Sequence, residues 1–380
     1  MAAAMRVEIF GKGLWVTGGG ERVIVTLADA LIRTGHHVII DTLAPVDFSV
    51  IKSTFGKDIS AVDLRINRPY TTLFTKVPGI RRYVELANEF AFRRTTDSDV
   101  FIDLSASSSL GATYPRLPDI TYWTPPIDFR SYISQLLKDA AHQIIFGPYV
   151  NLLTKLLERM NAIQLHFAAS RYSEETIRQY YAGHFHAPIR ILYPPVNISE
   201  WEPTNPLAQR KGVVSLARFA PWKRHDLQLK IVGSHIPLTM IGGARADDEK
   251  KTVNALQRLK TDNVRVLLNQ PLALVKQELW HSKVFLHTAD SEPAALSIVE
   301  AIAAGCIPVV RKSGGSAELV GFPELTFTSV EEAKEMAAKA LAGDYDDYLP
   351  RLSTHIAQSD ESVFCDTFIN AIENVSSRSR

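Results

Sequence analysis

The sequence is poor in cysteine, since only Cys306 and Cys365 occur in 380 residues. Two cysteines cannot form a disulfide framework, and neither has the spacing of a metal-binding motif. Cys306 stands between Gly305, which ends a predicted helix, and a predicted strand, so we expect a buried structural thiol there. This scarcity excludes a disulfide-stabilised secreted domain and agrees with a reducing, cytoplasmic environment.

Long apolar runs and a signal peptide are missing as well. No stretch reaches the ~18 consecutive apolar residues of a membrane-spanning helix, and Met1 to Arg6 lead into a predicted strand without a signal-peptide apolar region. An excess of one charge is also absent, because the formal net charge is +1. We therefore expect a globular protein that does not cross a membrane, and find no reason to expect nucleic acid as a partner.

The chain is long enough for two domains, with 380 residues of which 46% are hydrophobic. Predicted strands alternate with helices such as 21–34, which is typical of parallel sheets covered by helices. The strands of a first series are predicted at 6–10, 37–42, 100–104 and 163–168. Those of a second series are predicted at 212–217, 238–241, 264–268, 284–287 and 307–310.

A Pro-rich stretch from Tyr193 to Pro206 separates the two series and is predicted to be a linker. The fold class is therefore predicted to be α/β, with two doubly wound Rossmann-like domains facing a central cleft and ligand at the carboxyl ends of both sheets. We assign residues 1–196 to a first Rossmann-like domain and residues 207–358 to a second. Residues 359–380 are predicted to form a C-terminal helix that crosses back to the first domain.

The most informative pattern is E-x7-E, formed by Glu292 and Glu300 around the start of a helix predicted at about 294–304. Pro293 disfavours helical geometry at Glu292, which places that carboxylate in the loop before the helix. The helix start offers N–H groups and a partial positive charge that suit a phosphate. One carboxylate can then reach a sugar hydroxyl beyond the phosphate, while the other can reach a ribose hydroxyl behind it. Isolated glutamates at this spacing are usually solvated, so the surrounding strands give the pattern its weight.

Two cations follow the first strand of the second series. Arg218 and Lys223 at a strand end can neutralise a diphosphate as it leaves, although an isolated basic loop would simply be solvated. Gly242 and Gly243 end the next predicted strand in a turn.

A run of three glycines, Gly18, Gly19 and Gly20, precedes the first predicted helix. Glycine allows the backbone to approach a charged group closely, and the helix start supplies N–H donors. The run lacks the G-x-G-x-x-G spacing, which argues against a dinucleotide fingerprint. By itself, a Gly-rich turn between a strand and a helix is weak evidence.

Together these motifs, with Ser313-Gly314-Gly315-Ser316-Ala317-Glu318-Leu319-Val320, resemble the retaining glycosyltransferases of family four, which have the GT-B fold. The Gly-Gly-Gly-Glu-Arg-Val run is most similar to the dolichol-pathway mannosyltransferases that act on lipid-linked oligosaccharide. The resemblance covers most of the chain and is strongest over residues 212–320.

The resemblance implies transfer of a hexose, with mannose preferred, from a nucleoside-diphosphate sugar, with GDP-mannose preferred, to a glycan or polyprenyl-linked acceptor. It implies retention at the anomeric carbon, no metal or other cofactor, and no side-chain nucleophile. The resemblance implies that residues 1–196 form an acceptor-binding domain and residues 207–358 a nucleotide-sugar-binding domain. The residues implied in catalysis are Arg218, Lys223 and Glu292, and Glu292 would hold the sugar while Glu300 holds the ribose. The residues implied in donor binding are Gly19, Gly20, Gly242, Gly243, Ala294, Ala295, Leu296 and Glu300.

The first domain departs from the family pattern at one place. The relatives carry a histidine that approaches the donor sugar, and Trp123 stands at that position here. Gly18, Trp123 and Asp128 are therefore weaker candidates for the acceptor side of the cleft, with Asp128 or a backbone carbonyl as a candidate substitute for the histidine. His166 lies in an apolar strand pattern, which favours a core histidine over a catalytic one.

A helical apolar stripe runs from Tyr132 to Met160, and Gly147-Pro148 is predicted to break it. Such stripes usually belong to a core. Basic residues in the same domain leave peripheral contact with an anionic membrane open, at the cytoplasmic face. The basic residues concerned are Lys76, Arg81, Arg82, Arg93, Arg94, Arg130, Lys138, Lys155 and Arg159.

Two other functions remain compatible with the sequence. A sugar-nucleotide epimerase of the GT-B fold would need acid and base groups in the cleft, and no such set can be placed. A non-catalytic nucleotide-sugar-binding subunit is compatible with Trp123 at the histidine position. Such a subunit would bind the donor and transfer nothing, and Glu300→Gln would weaken its binding without any change in turnover.

Overall fold

The computed structural model describes residues 4–11, 14, 18–42, 45–66, 98–104, 116–123, 140–181, 183–203, 210–244 and 247–378. The chain divides into two compact units. The N-terminal unit comprises Met1–Tyr193 together with Phe364–Arg380, and the C-terminal unit comprises Pro194–Val363.

The N-terminal unit contains a parallel sheet in the order β3-β2-β1-β4-β5-β6-β7. Its strands are β1 (Arg6–Phe10), β2 (His37–Thr42), β3 (Asp63–Ile66), β4 (Val100–Asp103), β5 (Ile120–Trp123), β6 (Leu165–Ala168) and β7 (Ile189–Ile191). Its described helices are α1 (Gly19–Arg33), α2 (Phe48–Phe55), α3 (Ala140–Arg159), α4 (Arg171–Tyr180) and α12 (Glu361–Arg378).

The C-terminal unit repeats the same plan, with a parallel sheet in the order β10-β9-β8-β11-β12-β13. Its strands are β8 (Val213–Leu216), β9 (Leu238–Gly242), β10 (Val264–Leu268), β11 (Val284–His287), β12 (Ile307–Arg311) and β13 (Thr326–Phe327). Its described helices are α5 (His225–Val232), α6 (Asp247–Leu259), α7 (Leu272–His281), α8 (Leu296–Ala303), α9 (Ser316–Val320), α10 (Val330–Ala342) and α11 (Leu349–Ile356).

Both sheets are buried on their two faces, as expected for parallel strands covered by helices. All four residues of β4, β5 and β11 are buried. The prediction of two doubly wound α/β units is confirmed by the strand orders, in which β1 and β8 each lie between strands that come later in the chain. The strands predicted at 6–10, 37–42, 264–268 and 284–287 are found at those residues.

Helix α12 packs in the N-terminal unit, although it lies at the other end of the chain. The ring of Phe364 meets Tyr122 edge to face at 5.7 Å, and Phe368 lies 5.0 Å from Phe167. The Tyr122 hydroxyl donates a hydrogen bond of 2.9 Å to the carbonyl of Leu192. Aromatic side chains of α12 thus fill one side of the sheet, where β5 and β6 lie.

Both cysteines are buried. The Cys306 thiol donates to the carbonyl of Leu279 over 3.2 Å, and burial raises its pKa to about 12. The prediction of a buried structural thiol at Cys306 is therefore confirmed.

Helix α3 contradicts the prediction that Gly147-Pro148 breaks the apolar stripe, because the helix runs through Pro148. Proline has no N–H group and leaves the carbonyl of Ile144 without its helical donor. Ile144 is 79% exposed, so water can solvate that carbonyl, whereas Phe146 is buried in the core. In the part of the chain that the structure describes, no helix is long and apolar enough to span a membrane.

Candidate functional site

The candidate site lies at the carboxyl ends of β8 and β11, which are neighbours in the second sheet. The chain leaves β8 toward Arg218 and Lys223, and leaves β11 toward Glu292. Ligands of open α/β sheets bind where adjacent strands connect in opposite directions, and β8 and β11 form such a switch point. The two loops are joined directly, because the N–H of Asp290 donates to the carbonyl of Trp222 over 2.8 Å.

Lys223 and Glu292 form an ion pair between these loops. The Lys223 ammonium donates to Oε1 of Glu292, and the two side chains are only 10% and 16% exposed. The second carboxylate oxygen, Oε2, lies 3.1 Å from Nε2 of His287. Burial opposes ionisation of Glu292, but the charge of Lys223 and the contact with His287 outweigh it and lower the pKa of Glu292 to about 2. Glu292 is thus a carboxylate at neutral pH.

The Oε2 atom of Glu292 is buried and accepts no aligned hydrogen bond from the described residues. Although Nε2 of His287 is close to it, the hydrogen bond with acceptable geometry from this ring nitrogen goes to Ser316 Oγ at 3.3 Å. A buried carboxylate oxygen with spare acceptor capacity is costly unless a ligand or water satisfies it. Glu292 therefore presents an acceptor for a hydroxyl group.

The loop that carries Glu292 has a constrained backbone. Ser291 adopts a left-handed conformation with φ 50°, and its N–H donates to Ser313 Oγ over 2.9 Å. The N–H of Gly315 donates to the carbonyl of Glu292 over 2.8 Å. At Gly314, with φ 72°, a Cβ would lie 2.6 Å from the backbone nitrogen of Glu292. Only glycine allows this close approach.

Hydrogen bonds from Thr288, which directly follows β11, hold the backbone around Lys223. Lys223 ends the short 3-10 turn Pro221–Lys223. The Thr288 hydroxyl lies 2.9 Å from the carbonyl of Lys223 and 3.0 Å from that of Arg224. Gln228 donates to Thr288 Oγ1 over 3.1 Å and accepts from Ser215 Oγ over 2.9 Å. A buried polar network thus fixes the turn that carries the lysine.

Arg218 is the exposed cation of the site. Its guanidinium lies 3.3 Å from the Glu249 carboxylate and 5.6 Å from the Trp222 ring centroid, and its side chain is 53% exposed. His225 fixes its backbone, because Nε2 lies 3.1 Å from the Arg218 carbonyl. Burial lowers the pKa of His225, which keeps the ring neutral. An exposed guanidinium on a fixed backbone can turn toward an incoming anion.

A second charged cluster flanks the loop before Glu292. Asp290 pairs with Arg224 through one carboxylate oxygen at 3.2 Å and with Arg311 through the other. Arg224 also contacts Asp226 at 3.0 Å. The cluster links the loops after β8 and β11 to the last residue of β12.

Helix α8 begins at Leu296, two residues later than predicted, with Ala295 as its extended N-cap. Pro293 disfavours helix at Glu292, the residue before it, and residues 292–295 all precede the helix. Ala294 therefore lies outside the helix. No described side chain caps this helix. Glu300 lies within it and is only 5% exposed.

Gly242 and Gly243 stand at the end of β9, next to the backbone that leads to Arg218. A Cβ at Gly242 would overlap the carbonyl oxygen of Ala217, whereas a Cβ at Gly243 would make only an ordinary contact of 3.5 Å with Asn269 Oδ1. The N–H of Phe219 donates to the Gly243 carbonyl over 2.9 Å. Gly242 is therefore required for strand packing, and Gly243 lies on the open side of the turn.

Gly18, Gly19 and Gly20 lie in the N-terminal unit at the start of α1. Gly18 is the extended N-cap, and Gly19 and Gly20 are exposed residues of the first turn. A Cβ at Gly20 would meet nothing within 4 Å. The helix start thus leaves backbone open to solvent at the predicted positions.

Trp123 is not a cleft residue in this structure. Its side chain is 1% exposed and packs on Tyr181 at 5.9 Å and on Phe185 at 5.7 Å. The indole N–H donates to Nδ1 of His166 over 3.3 Å. This burial corrects the expectation that Trp123 faces the acceptor side. Asp128 and the basic residues at 76–94, 130 and 138 lie outside the described residues.

His166 is confirmed as a core residue. It is fully buried and lies 2.7 Å from Thr121 Oγ1 through Nδ1 and 3.0 Å from the carbonyl of Met160 through Nε2. Burial lowers the pKa of His166 to about 4, so the ring is neutral. Because Nδ1 accepts from the indole, we assign the ring proton to Nε2.

The sequence reasoning missed His287, Ser316, Thr288 and Gln228 as site residues. All four are buried and polar. A signal did exist for His287, because a histidine that ends an apolar strand directly before an acidic loop is unusual. Gln228 and Thr288 gave no such signal, since their contacts connect residues far apart in the chain.

Residues 198–346 match the family described as glycosyl transferases group 1. Among curated proteins, the human GDP-Man:Man(3)GlcNAc(2)-PP-Dol alpha-1,2-mannosyltransferase is 33% identical over 146 residues, which is 33% of this chain and 30% of the relative. The enzyme of the same name from Dictyostelium discoideum is 25% identical over 193 residues, or 45% of this chain and 38% of the relative. The matched part thus spans about a third of the length of these relatives.

Solved structures resemble the chain over nearly its whole length. Sucrose-phosphate synthase from Thermosynechococcus elongatus has a TM-score of 0.73 and 14% identity, and covers 98% of this chain and 100% of its own. WaaG, a glycosyltransferase of lipopolysaccharide biosynthesis, has a TM-score of 0.68 and 14% identity, with 96% and 99% covered. Anabaena HepE in complex with UDP-glucose has a TM-score of 0.67 and 17% identity, with 97% and 100% covered. The TM-scores establish a shared fold, and at identities this low they establish the fold alone.

Proposed function

We propose that the protein is a retaining hexosyltransferase. The proposal starts from the match of residues 198–346 to the glycosyl transferases group 1 family and from the GT-B fold of the chain. The proposed donor is a nucleoside-diphosphate sugar, with GDP-mannose preferred. The proposed acceptor is a hydroxyl of a lipid-linked glycan. The names of the curated relatives support both preferences, since they specify GDP-mannose and a dolichol-linked oligosaccharide.

The observation that carries the proposal is the buried Lys223–Glu292 pair, in which an ionised carboxylate keeps one oxygen free of aligned hydrogen bonds. In the proposed complex, Oε2 of Glu292 accepts a hydroxyl of the transferred sugar. Lys223 and Arg218 hold the diphosphate, together with the N–H groups at the start of α8. Glu300 is proposed to contact the ribose.

These cations also supply the chemistry of the proposed reaction. The sugar–phosphate bond breaks as negative charge develops on the leaving diphosphate, and fixed positive charges stabilise that charge. The leaving phosphate then guides the acceptor hydroxyl to the same face of the sugar and takes its proton, which gives retention. We propose that no divalent metal is needed, and activity that survives EDTA treatment would support this.

Helix α3 is proposed to contact the membrane that holds a lipid-linked acceptor. Ile144 is 79% exposed and Leu152 is 36% exposed, and Lys155 and Arg159 lie exposed on the same helix. Exposed apolar and basic side chains on one helix favour an anionic bilayer surface. Sedimentation with vesicles that contain phosphatidylserine tests this part, with phosphatidylcholine vesicles as the control.

The main test measures donor binding and transfer separately. Calorimetry with GDP, UDP, ADP and dTDP should show selective binding of GDP, weakened at least tenfold in Lys223→Ala and unchanged in Lys230→Ala, which removes an exposed lysine of α5. Transfer from GDP-mannose to a polyprenyl-diphosphate oligosaccharide should be lost in Glu292→Gln. If no nucleotide binds at millimolar concentration, the proposed site is wrong. If GDP binds but no acceptor is glycosylated, the chain is a binding subunit.

A further inference from the structure

The segment from Ser313 to Ser316, together with His287, surrounds Glu292 and has no part in the function proposed above. Its backbone holds the backbone of Glu292 on two sides, through the Gly315 N–H bond to the Glu292 carbonyl and the Ser313 hydroxyl that accepts from Ser291. Gly314 pairs with Glu292 as an isolated parallel bridge. The segment therefore fixes the backbone position of Glu292.

His287 controls the other end of this side chain. The ring is 2% exposed, and its Nε2 faces two oxygens, Ser316 Oγ at 3.3 Å and Glu292 Oε2 at 3.1 Å. A lone pair on Nε2 would repel the ionised carboxylate, so we assign the proton to this nitrogen. The N–H then points at the serine and leaves Oε2 electrostatically stabilised but still able to accept a further hydrogen bond.

Binding of a diphosphate changes the surroundings of Glu292. Lys223 is the partner of Oε1 in this structure, and the proposed function draws its ammonium toward phosphate oxygens. Glu292 would then be a buried carboxylate that has lost its main counter-charge, an arrangement that is strongly unfavourable unless another donor remains. The imidazole N–H of His287, whose nitrogen lies 3.1 Å from Oε2, is the polar group that stays beside the carboxylate, because Ser316 and the end of β11 fix the ring.

We propose that His287, oriented by Ser316, is a positioning residue that holds the Glu292 carboxylate toward the transferred sugar while Lys223 is engaged by the diphosphate. This inference rests on the proposed function. It assigns to the histidine an effect on recognition of the sugar and not on recognition of the nucleotide. The two recognitions can be measured independently.

The test compares the affinity for GDP with that for GDP-mannose in the full-length protein. In His287→Phe, we expect GDP-mannose to bind at least tenfold more weakly, while GDP binding changes less than twofold. In His287→Gln, the amide can still place an N–H group beside the carboxylate, so most of the lost affinity should return. Ser316→Ala should lie between these variants, because the ring loses its second partner. His355→Gln is the control, since His355 is a partly buried histidine of the same unit that hydrogen-bonds the Glu318 carbonyl at 2.8 Å.

Several results would overturn the inference. Equal loss of GDP and GDP-mannose in a folded His287→Phe protein would mean a general structural role, and unchanged affinities would mean no role. If His287→Phe does not fold, the inference is tested with His287→Gln and Ser316→Ala. It would be refuted if both variants bind GDP-mannose as tightly as the parent protein does. Failure of the parent protein to bind either compound would instead refute the proposed function. In that case ¹³C NMR of the Glu292 carboxyl still tests the His287 contact, and a titration identical in parent and His287→Gln would refute it.

Discussion

The Lys223–Glu292 pair gives a quantitative prediction for stability. The pKa of Glu292 is lowered from its ordinary value of 4.5 to about 2. A difference of this size corresponds to about 3.5 kcal/mol of stabilisation at neutral pH, because each pKa unit is worth about 1.4 kcal/mol. Lys223→Met removes the main source of this effect and leaves a buried carboxylate, so we expect a loss of about 2–4 kcal/mol.

A double-mutant cycle separates the pair from its surroundings. Glu292→Gln alone leaves Lys223 buried without its counter-charge and should cost a similar amount. The double variant Lys223→Met/Glu292→Gln contains neither charge, so its loss should be at least about 1.5 kcal/mol smaller than the sum of the single losses. Urea unfolding followed by circular dichroism measures all four proteins. Single losses that add to within about 0.5 kcal/mol would refute the reasoning.

The pH dependence of the same variants has a definite sign. Because the pKa of Glu292 is lower in the folded state, its contribution is complete above the ordinary value of 4.5 and is lost as the pH falls through about 2. The stability difference between the parent and Glu292→Gln should therefore shrink between pH 5 and pH 2. A difference that stays constant over this range would show that the carboxylate is not held ionised by its neighbours.

Two further predictions concern other described residues. Gly242→Ala should cost about 3 kcal/mol or more, since its Cβ overlaps the Ala217 carbonyl. Gly243→Ala, the adjacent matched control, should cost little. Equal thermal unfolding temperatures for the two variants would contradict the close contact between Gly242 and the Ala217 carbonyl. His166, whose pKa burial lowers from 6.5 to about 4, should contribute stability that is complete above pH 6.5 and lost as the pH falls toward 4. NMR should detect no titration of the His166 imidazole between pH 8 and pH 5, and a titration midpoint near 6.5 for this ring would contradict its burial.

The strands could be predicted from the sequence because each is an apolar run that ends at a local signal. The strand at 284–287 precedes an acidic loop, and that at 264–268 precedes Asn269, which adopts a left-handed φ of 51°. Helix ends were less predictable, as shown by the start of α8 at Leu296 and by the passage of α3 through Pro148. In both places the decisive factor is a single backbone bond or its solvation, which a pattern of apolar residues does not encode.

The candidate site was predictable in position but not in contacts. The loops after β8 and β11 meet because the strands are adjacent, so Lys223 and Glu292 could be placed at one sheet edge. Their ion pair joins residues 69 positions apart and depends on rotamers that the sequence does not specify. Trp123 was misjudged for a related reason. In a strand buried on both faces there is no alternation of polar and apolar residues to show which way a side chain points. The roles of the site residues stay predictions.

The position of helix α12 has a consequence for the order in which the protein folds during synthesis. The C-terminal unit is one continuous segment, Pro194–Val363, whereas the N-terminal unit needs residues from both ends of the chain. The rings of Phe364 and Phe368, which pack against Tyr122, leave the ribosome only after the whole C-terminal unit has been made. The core of the N-terminal sheet therefore stays incomplete until helix α12, which follows the C-terminal unit in the chain, has been made. A released chain truncated before residue 364 should protect the second sheet from protease while the first sheet stays susceptible.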